Sequence, residues 1–287
     1  MCAASRAPIE VFDEVESTND MARERARAGA VHGHAVRALA QTKGRGQRGH
    51  GWTSPQGGLY MSVVLRPGVD ERLLPGLPAA CGVGVVRALR GLGAASVQLK
   101  WPNDVVDGHA KLGGVLLEAG WVSGELYAVC GVGINCVAPA VESDSPGALA
   151  ATGLADCLPE GTALPSLDNL AHAVRDGIVG AVDEWERGLV QEAVGFSIGT
   201  GQAAGPVGQP SPGAADAQPL APLSGFEAAY HELLAYRDES VELITKEGAL
   251  VARGVLQSVD AGGRACVRLE NGTTATFDAS DVSLRPR

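Results

Sequence analysis

The order of apolar and polar positions along the 287-residue chain separates a long first part of mixed periods from a short last part that keeps to period two. Glu10-Val-Phe-Asp13 opens as a short strand. Ser17-Thr18-Asn19-Asp20 then begins a helix that runs to Gly29: Ser17 is placed to cap it, Asp20 falls where a carboxylate suits the positive end, and Gly29 closes it. Val36 to Gln41 and Leu59 to Leu65 spell buried strands, the second stopped by Pro67-Gly68, and Leu77 to Leu89 spells a helix. Val97 to Trp101 reads as a strand and Val105-Val106-Asp107-Gly108 as a hairpin turn. Lys111 to Glu118 and Glu125 to Asn135 follow as neighbouring strands whose glycines leave room for a ligand or another backbone. Ser166 caps an amphipathic helix with Leu167, Leu170, Val174, Ile178 and Trp185 on one face. Residues 195–225 turn to Gly, Pro, Ala and Gln, the composition of a mobile insert. After a short helix near Phe226 to Tyr236, alternation takes over in Val241 to Thr245, Val251 to Val259, Ala265 to Leu269 and Thr274 to Phe277, with Asp260-Ala-Gly-Gly263 and Asn271-Gly272 as turns. That is a small antiparallel β module, and the chain divides into residues 1–236 and 237–287.

Charge changes the picture. The chain carries ten more acids than bases, yet not one Asp or Glu lies from Arg25 through Val69. Basic residues gathered in one stretch of an acidic protein suit an anionic small molecule, whereas nucleic acid needs a broad basic face. The six cysteines are scattered with no Cys-x-x-Cys, which suits free thiols in a reducing cytosol. His32-Gly-His34 lacks a third ligand nearby, so no metal site is expected. No unbroken apolar run approaches the roughly 18 residues of a membrane helix, and the start lacks a signal pattern, so a cytoplasmic protein that meets no membrane is expected.

The chemistry concentrates in Gln41-Thr-Lys43-Gly44-Arg45-Gly46-Gln47-Arg48-Gly49-His50-Gly51-Trp52. Glycines let backbone N–H groups approach an anion, and Lys43, Arg45 and Arg48 add charge. Gly44-x-Gly46-x-x-Gly49 matches a dinucleotide fingerprint, but Pro55 and Gly57-Gly58 follow where that motif needs a helix. The Gly-Lys-Ser/Thr ending of a Walker loop is missing too. A loop that closes over a phosphate and a solvated Gly/Arg turn both remain open on these residues alone.

In order and spacing, Ser17-Thr18-Asn19, the Gln41 to Gly49 loop, Lys100-Trp101-Pro102-Asn103-Asp104, Lys111-Leu-Gly-Gly114 and Gly131-Val-Gly-Ile-Asn135 resemble a biotin protein ligase over roughly residues 10 to 190. The resemblance implies an α+β fold: a mixed or antiparallel catalytic sheet flanked by helices, of the class II synthetase-like biotin/lipoate ligase type, plus a C-terminal SH3-like β-barrel. It implies activation of biotin with ATP and Mg²⁺ to biotinyl-5'-AMP, then transfer to a lysine of a biotin carboxyl carrier protein. Ser17, Thr18, Asn19, Gln41, Arg45, Gly46, Gln47 and Lys111 would bind biotin. Gly44, Arg45, Arg48, Trp52, Lys100, Asn103, Asp104 and Asn135 would serve ATP and the adenylate, with no direct structural metal site. Arg45, Lys100 and Lys111 would neutralise charge during catalysis, and Asp104 would orient or deprotonate the acceptor lysine.

Two positions depart from the family's arginine-rich loop: Gln47 and His50 stand where it carries arginine, which implies a less tightly held adenylate, with Arg48 compensating in part. Some family members repress transcription through an N-terminal winged helix. Ser17 lies close to Met1 and the net charge is acidic, so no DNA binding is expected. A homodimer is compatible with the resemblance. The rival readings are a lipoate-protein ligase and a biotin-binding sensor module with weak ligation.

Overall fold

The computed structural model describes residues 7–49, 51–139, 149–199 and 221–287. In chain order the elements are β1 (Ile9–Val15), α1 (Thr18–Arg27), β2 (Ala35–Gln41), β3 (Leu59–Leu65), α2 (Leu77–Gly91), β4 (Val97–Lys100), β5 (Asp104–Asp107), β6 (Ala110–Val122), β7 (Glu125–Ile134), β8 (Ala150–Ala151), α3 (Leu154–Cys157) and α4 (Leu167–Gly199). Then come α5 (Glu227–His231), β9 (Ser240–Ile244), β10 (Leu250–Val259), β11 (Ala265–Leu269), β12 (Thr274–Phe277) and β13 (Ser283–Pro286). The first eight strands form one mixed sheet in the order β1-β2-β3-β7-β6-β5-β4, with β8 on β6; β1–β2 and β6–β8 are parallel, the rest antiparallel. The last five form an antiparallel sheet, β12-β11-β10-β9-β13, consistent with the SH3-like module expected.

Period two assigns each strand of the first sheet two faces. Leu59, Met61, Val63 and Leu65 of β3 join Cys130, Val132 and Ile134 of β7 in the main core, beneath α2 and α4. Those helices cross closely because Gly84 and Gly177 meet there; a Cβ on Gly84 would run into the Gly177 carbonyl. On the other face, Val36, Val64, Tyr127 and Val129 bury Ala22 and Ala26 of α1. The stretch Glu71–Gly91 is long and apolar enough by composition to cross a bilayer, but most of it is buried within the protein. The main core continues into Val241, Leu243, Leu256 and Leu284 of the second sheet. Trp101 Nε1 donates to Gly263 O at 2.9 Å across the same junction.

Four sequence expectations need correction. Val105 and Val106 lie in β5, and the turn falls at Gly108 and His109, where Gly108 takes φ +52. Ser17 precedes α1 without a side-chain cap bond; the Thr18 N–H is met by Gln41 Oε1 at 2.8 Å instead. The helix near residue 230 is shorter than expected, because Leu99 N bonds Leu233 O and Ala235 N bonds Leu99 O, each at 2.7 Å, which draws that backbone into a strand-like bridge. The insert is shorter too: α4 runs to Gly199, and Pro222 O accepts from Trp185 Nε1 at 2.7 Å beside a buried Leu223. Residues 200–220 of the expected insert lie outside the described residues.

Candidate active site

The face of the sheet that receives α1 is stripped of side chains farther along. Ser62, Gly131, Gly133 and Gly114 are cross-strand neighbours there, through the pairs Ser62 with Gly131 and Gly114 with Gly133. The glycines are required by what rests on them. A Cβ on Gly131 would collide with Asn19 Oδ1, and one on Gly133 would come within 2.6 Å of the Trp52 indole. The result is a trough with a polar floor at the start of α1.

That floor is a continuous hydrogen-bond network. Ser17, Thr18, Asn19 and Ser62 are each at least 95% buried. Ser62 Oγ lies 2.8 Å from Thr18 Oγ1 and 2.6 Å from Asn19 Oδ1. Thr18 N and Oγ1 both donate to Gln41 Oε1, and Gln41 Nε2 donates to Ser54 Oγ at 2.9 Å. Asn19 Nδ2 donates to Glu118 Oε2 at 2.8 Å. Thr18, Asn19, Gln41 and Ser62 each have such a partner, which holds these buried hydroxyls and amides in place.

The glycine-rich loop arches between Gln41 and Ser54, which are bridged to each other, as are Arg45 and Gly51. Trp52 N donates to Gly44 O at 2.9 Å, a closure that depends on Gly44 because a Cβ there would strike Trp52 O. A cleft of about 690 Å³ lies along Gln41 to Gly44 and Gly51 to Pro55. Arg45 reaches across to α1 and β6, with Asp20 Oδ2 at 2.6 Å and Glu118 Oε2 at 3.1 Å. Its hydrogen bonds hold the Asp20 carboxyl below the ordinary range. Lys43 pairs instead with exposed Glu16 at 2.9 Å. The acid-free stretch of sequence therefore receives its acids from elsewhere, and the loop's field is neutralised at two of its cations, not left focused as its sequence alone suggests.

At the trough's far end, Asp104 lies between two ammonium groups, Lys111 Nζ at 2.6 Å and Lys100 Nζ at 2.7 Å. Burial alone would raise this carboxyl, but Lys100 and Lys111 outweigh it and hold it well below the usual carboxylate range. Burial also lowers Lys100, against the pull of Asp104. Lys111 Nζ stands 5.5 Å from the centre of the Trp52 ring, a cation–π distance. Trp52 Nε1 is buried with no hydrogen-bond partner among the described residues.

Thus Thr18, Asn19, Gln41, Arg45, Trp52, Asp104, Lys100 and Lys111 are joined by these contacts into one cluster, of which Gln41 and Trp52 line the cleft and Lys100 is buried. Asn103 and Asn135 lie nearby, but each spends its amide N–H on backbone, on Val115 O at 2.9 Å and Thr152 O at 3.2 Å. Gly46 and Gln47 lie in the loop, Gln47 opening a 3₁₀ turn. His50 lies outside the described residues. Sequence reasoning missed Glu118 and Ser62, and it gave Asp20 only a helix-terminus role. Glu118 did carry a signal, as the one acid in a strand otherwise made of apolar residues, glycines and Lys111.

A model of the biotin/lipoate A/B protein ligase family matches residues 11–135. The biotin–[acetyl-CoA-carboxylase] ligase of Mycobacterium tuberculosis is 31% identical over 194 residues, 66% of this chain and 69% of that protein. This chain belongs to the biotin protein ligase family. The ligase fold extends over nearly its whole length: the biotin protein ligase of Aquifex aeolicus, solved with biotin and ATP, superposes with a TM-score of 0.68 at 25% identity, covering 97% of this chain and 99% of that one. The bifunctional ligase/repressor BirA of Bacillus spizizenii is 34% identical over 125 residues, 43% of this chain but only 38% of the longer relative, so the match spans about two fifths of that protein.

Proposed function

We propose that this chain is an ATP-dependent biotin protein ligase, which forms biotinyl-5'-AMP with release of pyrophosphate and then acylates a lysine of a biotin carboxyl carrier protein domain. One observation carries the reading: beside the glycines of β6 and β7, a buried polar network meets a guanidinium at Glu118, and past Trp52 two ammonium groups gather on Asp104. Biotin's ureido group needs hydroxyl and amide partners, which Ser17, Thr18, Asn19 and Gln41 would supply, with Gly46 and Gln47 above and Lys111 toward the carboxylate. Gly44, Arg45, Arg48, Trp52, Lys100, Asn103, Asp104 and Asn135 would serve the nucleotide. On this reading residues 1–236 form the catalytic domain and 237–287 an accessory module.

The first step brings two anions together, so positioning and charge neutralisation supply most of the catalysis and no protein nucleophile is needed. Arg45, Lys100 and Lys111 are the chain's own cations for this. Among the described residues no three His, Cys, Asp or Glu groups gather to cage a metal, and the site's carboxylates are taken by Lys and Arg. These acids do not fit a protein-built Mg²⁺ site; such an ion belongs with the triphosphate that carries it. The adenylate is open to hydrolysis, and a loop pinned by Arg45 and Trp52 keeps water from it. In the second step an acceptor lysine, with an ordinary pKa of about 10.4, must lose a proton before it attacks. Asp104, held low between two ammonium groups, is a weak base, so it would hold Lys100 and Lys111 in place for the first step and orient the amine in the second.

Incubation with ATP, biotin and a carrier domain, followed by intact mass measurement, tests the reading. The carrier should gain one biotinyl group. Lipoylation without biotinylation would overturn it in favour of the lipoate ligase, whose dithiolane offers nothing for the polar floor to bond. Tight biotin binding without transfer would leave a sensor.

A further inference from the structure

We propose that Asp20 and Glu118 are positioning residues: they hold the Arg45 guanidinium across the trough before an anion arrives, and so keep the loop down over a bound acyl-adenylate. The second half rests on the ligase reading; the first does not. Arg45 Nη1 donates to Asp20 Oδ2 at 2.6 Å and Nη2 to Asp20 Oδ1 at 3.0 Å, a two-point fork that fixes the guanidinium plane. Nη2 also donates to Glu118 Oε2 at 3.1 Å. Both acids are anchored on rigid elements. Asp20 belongs to the first turn of α1 and is paired with Arg23 one turn on, and Glu118 of β6 accepts from Asn19. Arg45 belongs to the loop, so the framework positions the loop and not the reverse.

The loop's other described ion pair lacks these properties. Lys43 and Glu16 are about two-thirds exposed, whereas the Arg45, Asp20 and Glu118 side chains are 35%, 40% and 32% exposed. A pair in open solvent is screened and contributes little. Because Arg45 is bridged to Gly51 and Gly44 O is bonded to Trp52 N, fixing the guanidinium fixes both arms of the loop. Its Nε–H and one Nη1–H make no bond to a described residue, so the clamp leaves donors to meet a ligand oxygen. The neutral Gln47 is thereby offset: closure draws on the protein's own carboxylates.

Asp20→Asn and Glu118→Gln, singly and together in the full chain, test this; Gln still offers Asn19 an acceptor. Without ligand, amides across residues 44–52 should exchange about tenfold faster in the double variant, while those of α1 and β7 stay as they were. Asp20→Glu, which keeps the charge, should recover most of the protection. Unchanged exchange across the loop overturns the clamp. With biotin and ATP, the double variant should release biotinyl-AMP about tenfold faster. Equal retention by both proteins overturns the role in retention, and tighter biotin binding by the variant overturns it too, since it would mean the acids compete for Arg45. If the wild type forms no adenylate, the ligase reading falls while the exchange data still decide the clamp.

Discussion

Alternate residues of β7 meet opposite surroundings. Cys130, Val132 and Ile134 are sealed in the core under α2 and α4, while Gly131 and Gly133 between them open onto the trough. The same backbone thus fills volume with its own side chains on one face and, on the other, yields that volume to Asn19 and Trp52 of the candidate site. Substitutions on the two faces should separate stability from function.

The largest effect belongs to the filled face. Gly84→Val places side-chain atoms against the Gly177 carbonyl at the α2–α4 crossing, where neither helix can yield without opening the core. Overpacking of this kind should lower unfolding free energy by about 3 kcal/mol or more, measured by denaturant titration, with biotin affinity of the folded fraction unchanged. A loss below about 1 kcal/mol would show that the helices slide apart at little cost. Asp104→Asn comes next and crosses the division. Lys100 is 2% exposed and Asp104 is its bonded counter-ion, so a site residue here also stabilises the fold. Removing one partner of a buried pair should cost about 3 kcal/mol and slow adenylate formation together with transfer. If only transfer slows, Asp104 does not hold the two lysines for the first step.

Gly133→Val is the mirror of Gly84→Val on the open face. Its side chain would displace the Trp52 indole and with it the loop arm above Lys111. Displacement of about 1 Å suffices for a hundredfold loss of adenylate formation, read by pyrophosphate release, with a stability change below about 1 kcal/mol. Equal losses in stability and rate would erase the distinction between the faces.

How much of this could be read from the sequence follows the same division. Strands and helices of the filled face declared themselves through apolar runs, and Leu77 to Leu89 falls within α2. The open face was legible only where short motifs marked it: Gly131 and Gly133 announced room, but not that Asn19 and Trp52 occupy it. Glu118 lies 73 residues from Arg45, and no local pattern joins them. Local rules even misled, since Ser17 has every mark of a cap, yet the helix's first N–H is satisfied from β2 by Gln41. Contacts between distant elements are set by the sheet's register, and period two alone does not fix register without the partner strand.

The smallest expected effect lies at the rim of the filled face and depends on pH. His32 Nδ1 accepts from Arg66 N at 3.1 Å, and its Nε2 lies 3.8 Å from Asp183 of α4. Burial pushes the His32 imidazole below its usual value, against a weaker opposing pull from Asp183. The unfolded chain therefore takes up this proton first, near the ordinary histidine pKa of 6.5. The neutral ring's contribution is complete above that pH and is lost as pH falls from it toward the lower folded value, at no more than about 1.4 kcal/mol per pH unit. His32→Asn keeps an acceptor for Arg66 N and removes the titration. Between pH 7.5 and 5.5 the wild type should therefore lose more thermal stability than the variant, while both lose the same adenylate-forming activity, because His32 does not border the trough. If the two melting curves shift in parallel, the acid sensitivity of this face lies in another group.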